Sequence, residues 1–423
     1  MLNRLVVSLL LVSASAIACD DDSPASGANG GTANALGGAS SGGGNSSSTA
    51  GQQTSGGKAS GGGSMLATGG GTPAAGGGAA NGGNGGEAAD TSGANTGGAP
   101  NTGCAIDASG LRLTSAWDEF GYPSYAIDGC RLVYVAEDAS LRLRNLENNE
   151  ELELEPGASR PRRPTLKGDT LAWEVSQESK PVVRVWTETG AITLSGAFDH
   201  AGEPAAANGA VVFTAFKAPG AGADSDVLLY DVGTGVLSEI FAGPGQQRFP
   251  AISSSQVAAT DFSEDPRGYF DEVSSVSDII VRARAGGDVV PRPRSGKQAF
   301  PMLSDDGTLA YLDWAAVHPE PKFSAFNLYV TRVGALASED QKIRAIETDP
   351  SYVRPSLNDQ VIDFVDRSSG KPLLYRISLD GIELAPLVDF GSSVIPLGPI
   401  ARNDFTLIAT RAIEGARLRV VAR

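Results

Sequence analysis

From Pro123 onward the chain repeats a pattern of short apolar strands separated by polar turns. The clearest copy begins at Pro301, turns at residues 304–307 and continues through apolar segments at 309–311 and 327–330. Apolar and polar residues alternate in the outer segments, which is typical of β-strands that pack one face against a neighbour. The pattern predicts antiparallel sheets built from several short strands.

A proline marks the start of every copy. These prolines are Pro123, Pro164, Pro204, Pro250, Pro301, Pro355 and Pro396. Their successive spacings are 41, 40, 46, 51, 54 and 41 residues. A period of about 40 to 50 residues with several short strands per unit is typical of a β-propeller. The sequence therefore predicts an all-β fold, a single β-propeller with seven blades. Six blades are the alternative, if the last unit is irregular.

The last repeat lacks an outer strand, because the chain ends at Arg423 soon after the apolar segment 417–421. The segment 111–114 precedes the first repeat and belongs to no other predicted sheet. We expect this segment to supply the missing strand and to close the ring without an open sheet edge.

Residues 1–18 predict a secretory signal peptide. One basic residue precedes an apolar run at residues 5–12, which is too short to span a membrane. The next residues, 16–19, read Ala-Ile-Ala-Cys and resemble the lipobox of bacterial lipoproteins, in which the cysteine becomes the lipidated first residue. Cleavage by an ordinary signal peptidase, which would leave Cys19 as a free thiol, is the alternative.

The lipobox resemblance implies an exported protein anchored through Cys19 to the bacterial cell envelope, on the periplasmic side or at the outer membrane or surface. Residues 19–103 are almost wholly Gly, Ala, Ser, Asn and Thr. They hold too few apolar side chains to offset the chain entropy that folding would cost. We expect them to form a disordered tether between the anchor and a folded domain at residues 104–423.

The cysteine count fits an oxidising compartment. If Cys19 carries a lipid, Cys104 and Cys130 remain as an even pair. We expect these two residues to form a disulfide that pins the closing strand to the first blade. A pair of free thiols is the alternative.

The charge distribution limits the class of partner. The formal net charge is −16, and the chain has no basic block, which argues against nucleic acid or an anionic membrane surface. The connections between blades contain a mild excess of arginine and should line one mouth of the central channel. We expect that mouth to bind an acidic segment or terminal carboxylate of a partner. The candidate residues are Arg160, Arg162, Arg163, Arg248, Arg294 and Arg354.

The sequence offers few groups for catalysis. Its two histidines, His200 and His318, fall in predicted loops; we expect both to be solvated and predict no metal and no other cofactor. Asp305 and Asp306 could pair as catalytic carboxylates, but the Ser-Asp-Asp-Gly context favours a tight turn.

The copy at residues 300–311, F-P-x-x-S-x-D-G-x-x-A-Y, resembles the repeat of TolB-like propellers, a group that includes the propeller of prolyl oligopeptidases. The resemblance covers about residues 110–423 and implies a periplasmic, protein-binding precedent. We therefore expect a monomeric, non-catalytic protein-interaction module, a lipoprotein scaffold that binds another envelope protein. The alternative is a carbohydrate-binding or carbohydrate-cleaving surface propeller.

Overall fold

The computed structural model describes most of the chain after residue 103. The described residues are 104, 108–114, 121–187, 189–220, 222–269, 276–314, 325–347, 354–379 and 384–422. The signal peptide, the lipid on Cys19 and the tether were predicted for residues 1–103 and lie outside the described residues, as does His318. Within the described ranges no helix is long and apolar enough to cross a membrane.

The described residues form seven four-stranded antiparallel sheets, the blades of the propeller. Blade 1 contains β2 (Tyr125–Asp128), β3 (Arg131–Val135), β4 (Leu141–Asn145) and β5 (Glu151–Glu155). Blade 2 contains β6 (Arg162–Lys167), β7 (Thr170–Gln177), β8 (Lys180–Thr187) and β9 (Gly190–Thr193). Blade 3 contains β10 (His200–Ala207), β11 (Ala210–Phe216), β12 (Ser225–Asp231) and β13 (Val236–Phe241). Blade 4 contains β14 (Gln247–Ile252), β15 (Gln256–Asp261), β16 (Asp278–Ala283) and β17 (Val290–Arg292). Blade 5 contains β18 (Lys297–Leu303), β19 (Thr308–Trp314), β20 (Ala325–Arg332) and β21 (Gln341–Glu347). Blade 6 contains β22 (Ser356–Leu357), β23 (Val361–Asp366), β24 (Leu373–Ser378) and β25 (Leu384–Asp389). Blade 7 contains β26 (Ile395–Ala401), β27 (Phe405–Ala412), β28 (Gly415–Ala422) and β1 (Arg112–Leu113), and 3-10 turns lie at Gly157–Ser159 and Ala337–Glu339.

The all-β fold with seven blades is confirmed, and the ring closes through β1 as expected. This strand pairs antiparallel with β28, so that Leu113 lies opposite Ala416. A disulfide joins Cys104, which precedes β1, to Cys130, which lies in the turn before β3. The bond therefore ties the strand that completes blade 7 to blade 1.

Several inner strands share a bulge at an X-Pro pair. The pairing of β6, β10, β14 and β18 with the next strand skips Arg163-Pro164, Glu203-Pro204, Phe249-Pro250 and Phe300-Pro301. Proline suits a bulge because it has no N–H to donate to the ladder. In β26 the same skip falls at Gly398-Pro399. The proline that corresponds to the other repeat prolines is therefore Pro399. The prediction that placed the seventh repeat at Pro396 was wrong by three residues, because strand pairing, which the sequence does not show, sets the register.

The turn between β18 and β19 is the tight turn that the sequence predicted. Oδ1 of Asp306 accepts a hydrogen bond from the Thr308 N–H at 2.9 Å. Burial would raise the pKa of Asp306, but hydrogen bonds from Ser304 and Thr308 outweigh that effect and lower the pKa to about 2. The Asp306 carboxylate thus acts as a hydrogen-bond acceptor within the turn.

Replacing Cys104 and Cys130 together by alanine should lower the free energy of unfolding. The chain-entropy model gives a loss of about 3 to 4 kcal/mol for their separation of 26 residues. Urea denaturation of the wild type and the double variant measures this difference. Wild type kept under reducing conditions is the control and should match the variant. Equal stabilities of variant and oxidised wild type would contradict the role of the bond.

Candidate functional site

The candidate site is a pocket of about 230 Å³ at the channel mouth where the inner strands of blades 2, 3 and 4 begin. It is lined by Arg162, Arg163, Glu174, Pro181, His200, Gly202, Glu203, Phe216, Gly220 and Arg248. We call it the arginine pocket. Cationic, acidic and aromatic side chains meet there, and convergent polar groups of this kind can fix the orientation of a bound ligand.

Glu174 is one of two buried carboxylates in the arginine pocket. It lies in β7 directly opposite Arg162 of β6, and it is 0% exposed. Nε of Arg162 donates to Oε1 of Glu174, and Nη1 of Arg163 donates to Oε2 at 3.1 Å. The backbone N–H of Glu203 donates to the same Oε2 at 3.2 Å. This carboxylate therefore joins blade 2 to blade 3.

Glu203 is the second buried carboxylate, with 1% of its surface exposed. It accepts hydrogen bonds from Nη2 of Arg248, from Oγ1 of Thr214 at 2.7 Å and from the Phe249 N–H at 3.0 Å. Burial alone would raise the pKa of Glu203, but Arg248 and Arg163 outweigh burial and lower the pKa from 4.5 to about 2. The local potential is positive enough to keep a fully buried carboxyl group ionised.

His200 is not solvated, and that expectation was wrong. Its ring stacks on Phe216, with centroids 4.4 Å apart and planes 5° from parallel. The two residues face each other in the β10–β11 pairing. Nδ1 of His200 lies 3.0 Å from Oδ2 of Asp199. The stacking on Phe216 leaves the side chain only partly exposed, and the sequence alone does not show that.

A stack of aromatic rings and guanidinium groups fills the channel beside the pocket. The guanidinium carbon of Arg354 lies 3.8 Å from the ring centroid of Tyr122, 3.9 Å from that of Phe300 and 5.2 Å from that of Phe249. We call these four residues the channel stack. Arg163 also lies over the Tyr122 ring, at 4.9 Å. Burial raises the pKa of Tyr122 to about 12, although Arg354 opposes the shift.

The six predicted arginines do not share one site. Arg162, Arg163 and Arg248 line the arginine pocket, and Arg354 lies in the channel stack. Arg294 lines a separate pocket of about 360 Å³ and donates through Nη2 to the Tyr329 hydroxyl at 2.8 Å. Arg160 is exposed at the end of a 3-10 turn.

The sequence did not indicate Glu174, Phe216 or Tyr122, and it placed Glu203 in a connection between blades without marking it as a site residue. Glu203 and Tyr122 each precede a repeat proline, and so do Arg163 and Arg354. Position relative to that proline was therefore a usable signal for side chains that enter the channel. Glu174 and Phe216 lie inside strands and carry no such mark.

No family model and no curated protein matches the chain. Among solved structures, the propeller domain of the Trilobed protease from Pyrococcus furiosus, which has an open velcro topology, is 16% identical with a TM-score of 0.50; the match covers 72% of this chain and 94% of that one. A puromycin hydrolase is 10% identical with a TM-score of 0.50 over 76% and 53%. A putative TolB from Agrobacterium tumefaciens is 14% identical with a TM-score of 0.38 over 54% and 81%. At such identities likeness shows the fold alone, a propeller.

The prediction of a non-catalytic interaction scaffold is contradicted. Both similar structures with a TM-score of 0.50 come, by name, from enzymes, the Trilobed protease and a puromycin hydrolase. The prediction failed because it carried a role over from a fold, and one fold serves many functions. The chain spans 36% of the tricorn protease and 53% of the puromycin hydrolase, so the activities of those whole proteins are matters for proposal.

Glu203→Gln should lower the free energy of unfolding by about 3 kcal/mol at pH 7, because it leaves Arg248 buried without its carboxylate. The folded pKa of Glu203, about 2, lies below the reference value of 4.5. Its ionisation therefore stabilises the fold above pH 4.5, and this contribution is lost as the pH falls from 4.5 to 2.

The difference between wild type and variant should shrink over the same pH range, as measured by urea denaturation at pH 7, 4.5 and 3. The exposed Glu239 in β13 provides the control, and Glu239→Gln should shift stability by less than about 0.5 kcal/mol. A Glu203→Gln effect that does not change with pH would contradict the ion pair.

Proposed function

We propose that this chain is an enzyme-associated propeller and that the arginine pocket binds a carboxylate group of the enzyme's substrate. The observation that carries the proposal is the convergence of Arg162, Arg163 and Arg248 around one pocket. Among the described residues that line the pocket, they face two carboxylates, Glu174 and Glu203, which leaves one formal positive charge in excess. Guanidinium groups bind carboxylates through paired, charge-assisted hydrogen bonds.

The ionised state of the buried Glu203 supports the proposal that the pocket binds a carboxylate. Its pKa of about 2 in a fully buried position means that the surrounding arginines compensate for the loss of hydration. A ligand carboxylate entering the pocket would share these arginines with Glu174 and Glu203. Arg162 is the residue best placed to meet it, because 47% of its side chain is exposed while its guanidinium is already oriented by Glu174.

The enzyme part of the proposal draws support from the similar structures. The propeller of the Trilobed protease and the puromycin hydrolase both belong to hydrolytic enzymes by name. On this proposal the propeller contributes substrate binding to such an enzyme, and the pocket orients the bound group by its charge.

Arg162→Glu should weaken carboxylate binding at least tenfold. One lost charge-assisted hydrogen bond is worth about 1.5 to 3 kcal/mol, and tenfold corresponds to about 1.4 kcal/mol. Isothermal titration of the full chain with N-acetylalanine measures the affinity, and inorganic phosphate serves as a second anion. Arg160→Glu is the matched control, because it makes the same charge change on an exposed residue of the same connection.

The control should bind N-acetylalanine within about twofold of wild type, since salt screens an exposed charge outside the pocket. Equal losses of affinity in both variants would show that the effect comes from the net charge of the protein and not from the pocket. No loss in Arg162→Glu would contradict the proposed function.

Export and lipid anchoring through Cys19 stay part of the proposal, on the lipobox resemblance at residues 16–19. Cells fed a labelled fatty acid should incorporate the label into the wild-type protein, because the mature chain would begin at acylated Cys19. Cys19→Ala should abolish incorporation. Labelling of the variant, or no labelling of wild type, would contradict the anchor.

A further inference from the structure

Side chains close the central channel near the mouth that carries the arginine pocket. In the channel stack, Tyr122 comes from blade 1, Phe300 from blade 5 and Arg354 from blade 6. The guanidinium carbon lies 3.8 and 3.9 Å from the two ring centroids, which are van der Waals distances. Arg354 therefore links blade 5 to the chain entering blade 1, past the position of blade 7.

The other end of the channel is crossed as well. Nζ of Lys167 in blade 2 lies 3.0 Å from Oδ2 of Asp305 in blade 5, and these blades lie on opposite sides of the ring. The Asp305 N–H donates to Oδ1 of Asp359 in blade 6 at 3.0 Å, and Oδ1 of Asp305 accepts from the Ser254 N–H of blade 4 at 2.8 Å. One aspartate thus links turns from four blades.

The arginine pocket has its floor on this closed channel. Arg163 belongs to the pocket lining and also lies over the Tyr122 ring of the channel stack. Arg248 likewise lines the pocket and lies 4.6 Å from the ring centroid of Phe249. In the described part of the chain, a ligand that enters between the blades meets these side chains, and the contacts across the channel leave it no path onward through the ring. The pocket is therefore blind.

The lining of the pocket, which has a volume of about 230 Å³, favours one kind of ligand. Phe216 and Pro181 give the pocket an apolar side that suits an aliphatic side chain better than a ring of hydroxyl groups.

We infer that the arginine pocket binds the C-terminal residue of a peptide, with the terminal carboxylate at the arginines and the rest of the chain leaving through the same opening. This inference rests on the proposed function, since it requires the pocket to accept a carboxylate. It adds that the pocket recognises a chain end and rejects a carboxylate in the middle of a chain. An internal residue has peptide on both sides, and a blind pocket offers only one opening for both parts.

The test compares three peptides by isothermal titration against the full chain. The first is acetyl-Ala-Ala-Ala with a free carboxylate, the second is the same peptide as its C-terminal amide, and the third is acetyl-Ala-Asp-Ala amide. The first and third carry the same net charge and differ in where the carboxylate lies. We expect the free acid to bind at least tenfold more tightly than either amide, and Arg162→Glu to remove that preference.

Equal binding of the free acid and the internal aspartate would overturn the inference and leave carboxylate binding in place. If inorganic phosphate binds and none of the three peptides does, the inference is overturned too, and the pocket remains an anion site. If none of these probes and no N-acetylalanine binds, the proposed function fails and the inference falls with it.

Lys167→Ala tests the closed channel. It removes the ion pair with Asp305 at the far mouth, which lies outside the pocket. The affinity for the free acid should stay within twofold of wild type, because no ligand passes that way. A larger change in affinity, with the fold intact by circular dichroism, would show that the ligand reaches the pocket through the channel and would overturn the blind-pocket inference.

Discussion

The candidate site depends on one repeated backbone constraint, the bulge at an X-Pro pair in the inner strands. The bulge places Arg163, Glu203, Phe249 and Phe300 at φ values of 51°, 57°, 53° and 58°. Such left-handed conformations cost non-glycine residues about 1 to 3 kcal/mol each. The same four side chains fill the channel or line the pocket, so their packing and ion pairs offset the backbone cost where ligand binding is proposed.

Charge pairing explains how so many arginines enter a buried region. A buried ion costs several kcal/mol unless a partner and hydrogen bonds compensate it. Arg163 and Arg248 meet the carboxylates of Glu174 and Glu203, and Arg354 lies between aromatic faces, which attract cations. The network therefore stabilises the junction of blades 2, 3 and 4.

The periodicity of the prolines predicted seven blades, with six as the alternative, because each blade is a local unit that repeats. The missing outer strand of the last repeat predicted the closing strand. The periodicity misplaced the seventh repeat, since Pro396 and Pro399 lie in one strand and pairing alone distinguishes them. The pocket was predicted only in part. Arg163 and Arg248 were found from their place in the connections, whereas Glu174 contacts Glu203 across 29 residues of sequence. Packing between blades, which no local pattern encodes, creates that contact.

A crystal structure of the chain grown with saturating N-acetylalanine would show whether the arginine pocket binds a carboxylate. We expect the ligand carboxylate to lie within hydrogen-bond distance of the Arg162 guanidinium, with the methyl group toward Phe216. Ligand density at another surface, with only solvent beside Arg162 and Arg248, would show that the pocket is not the binding site.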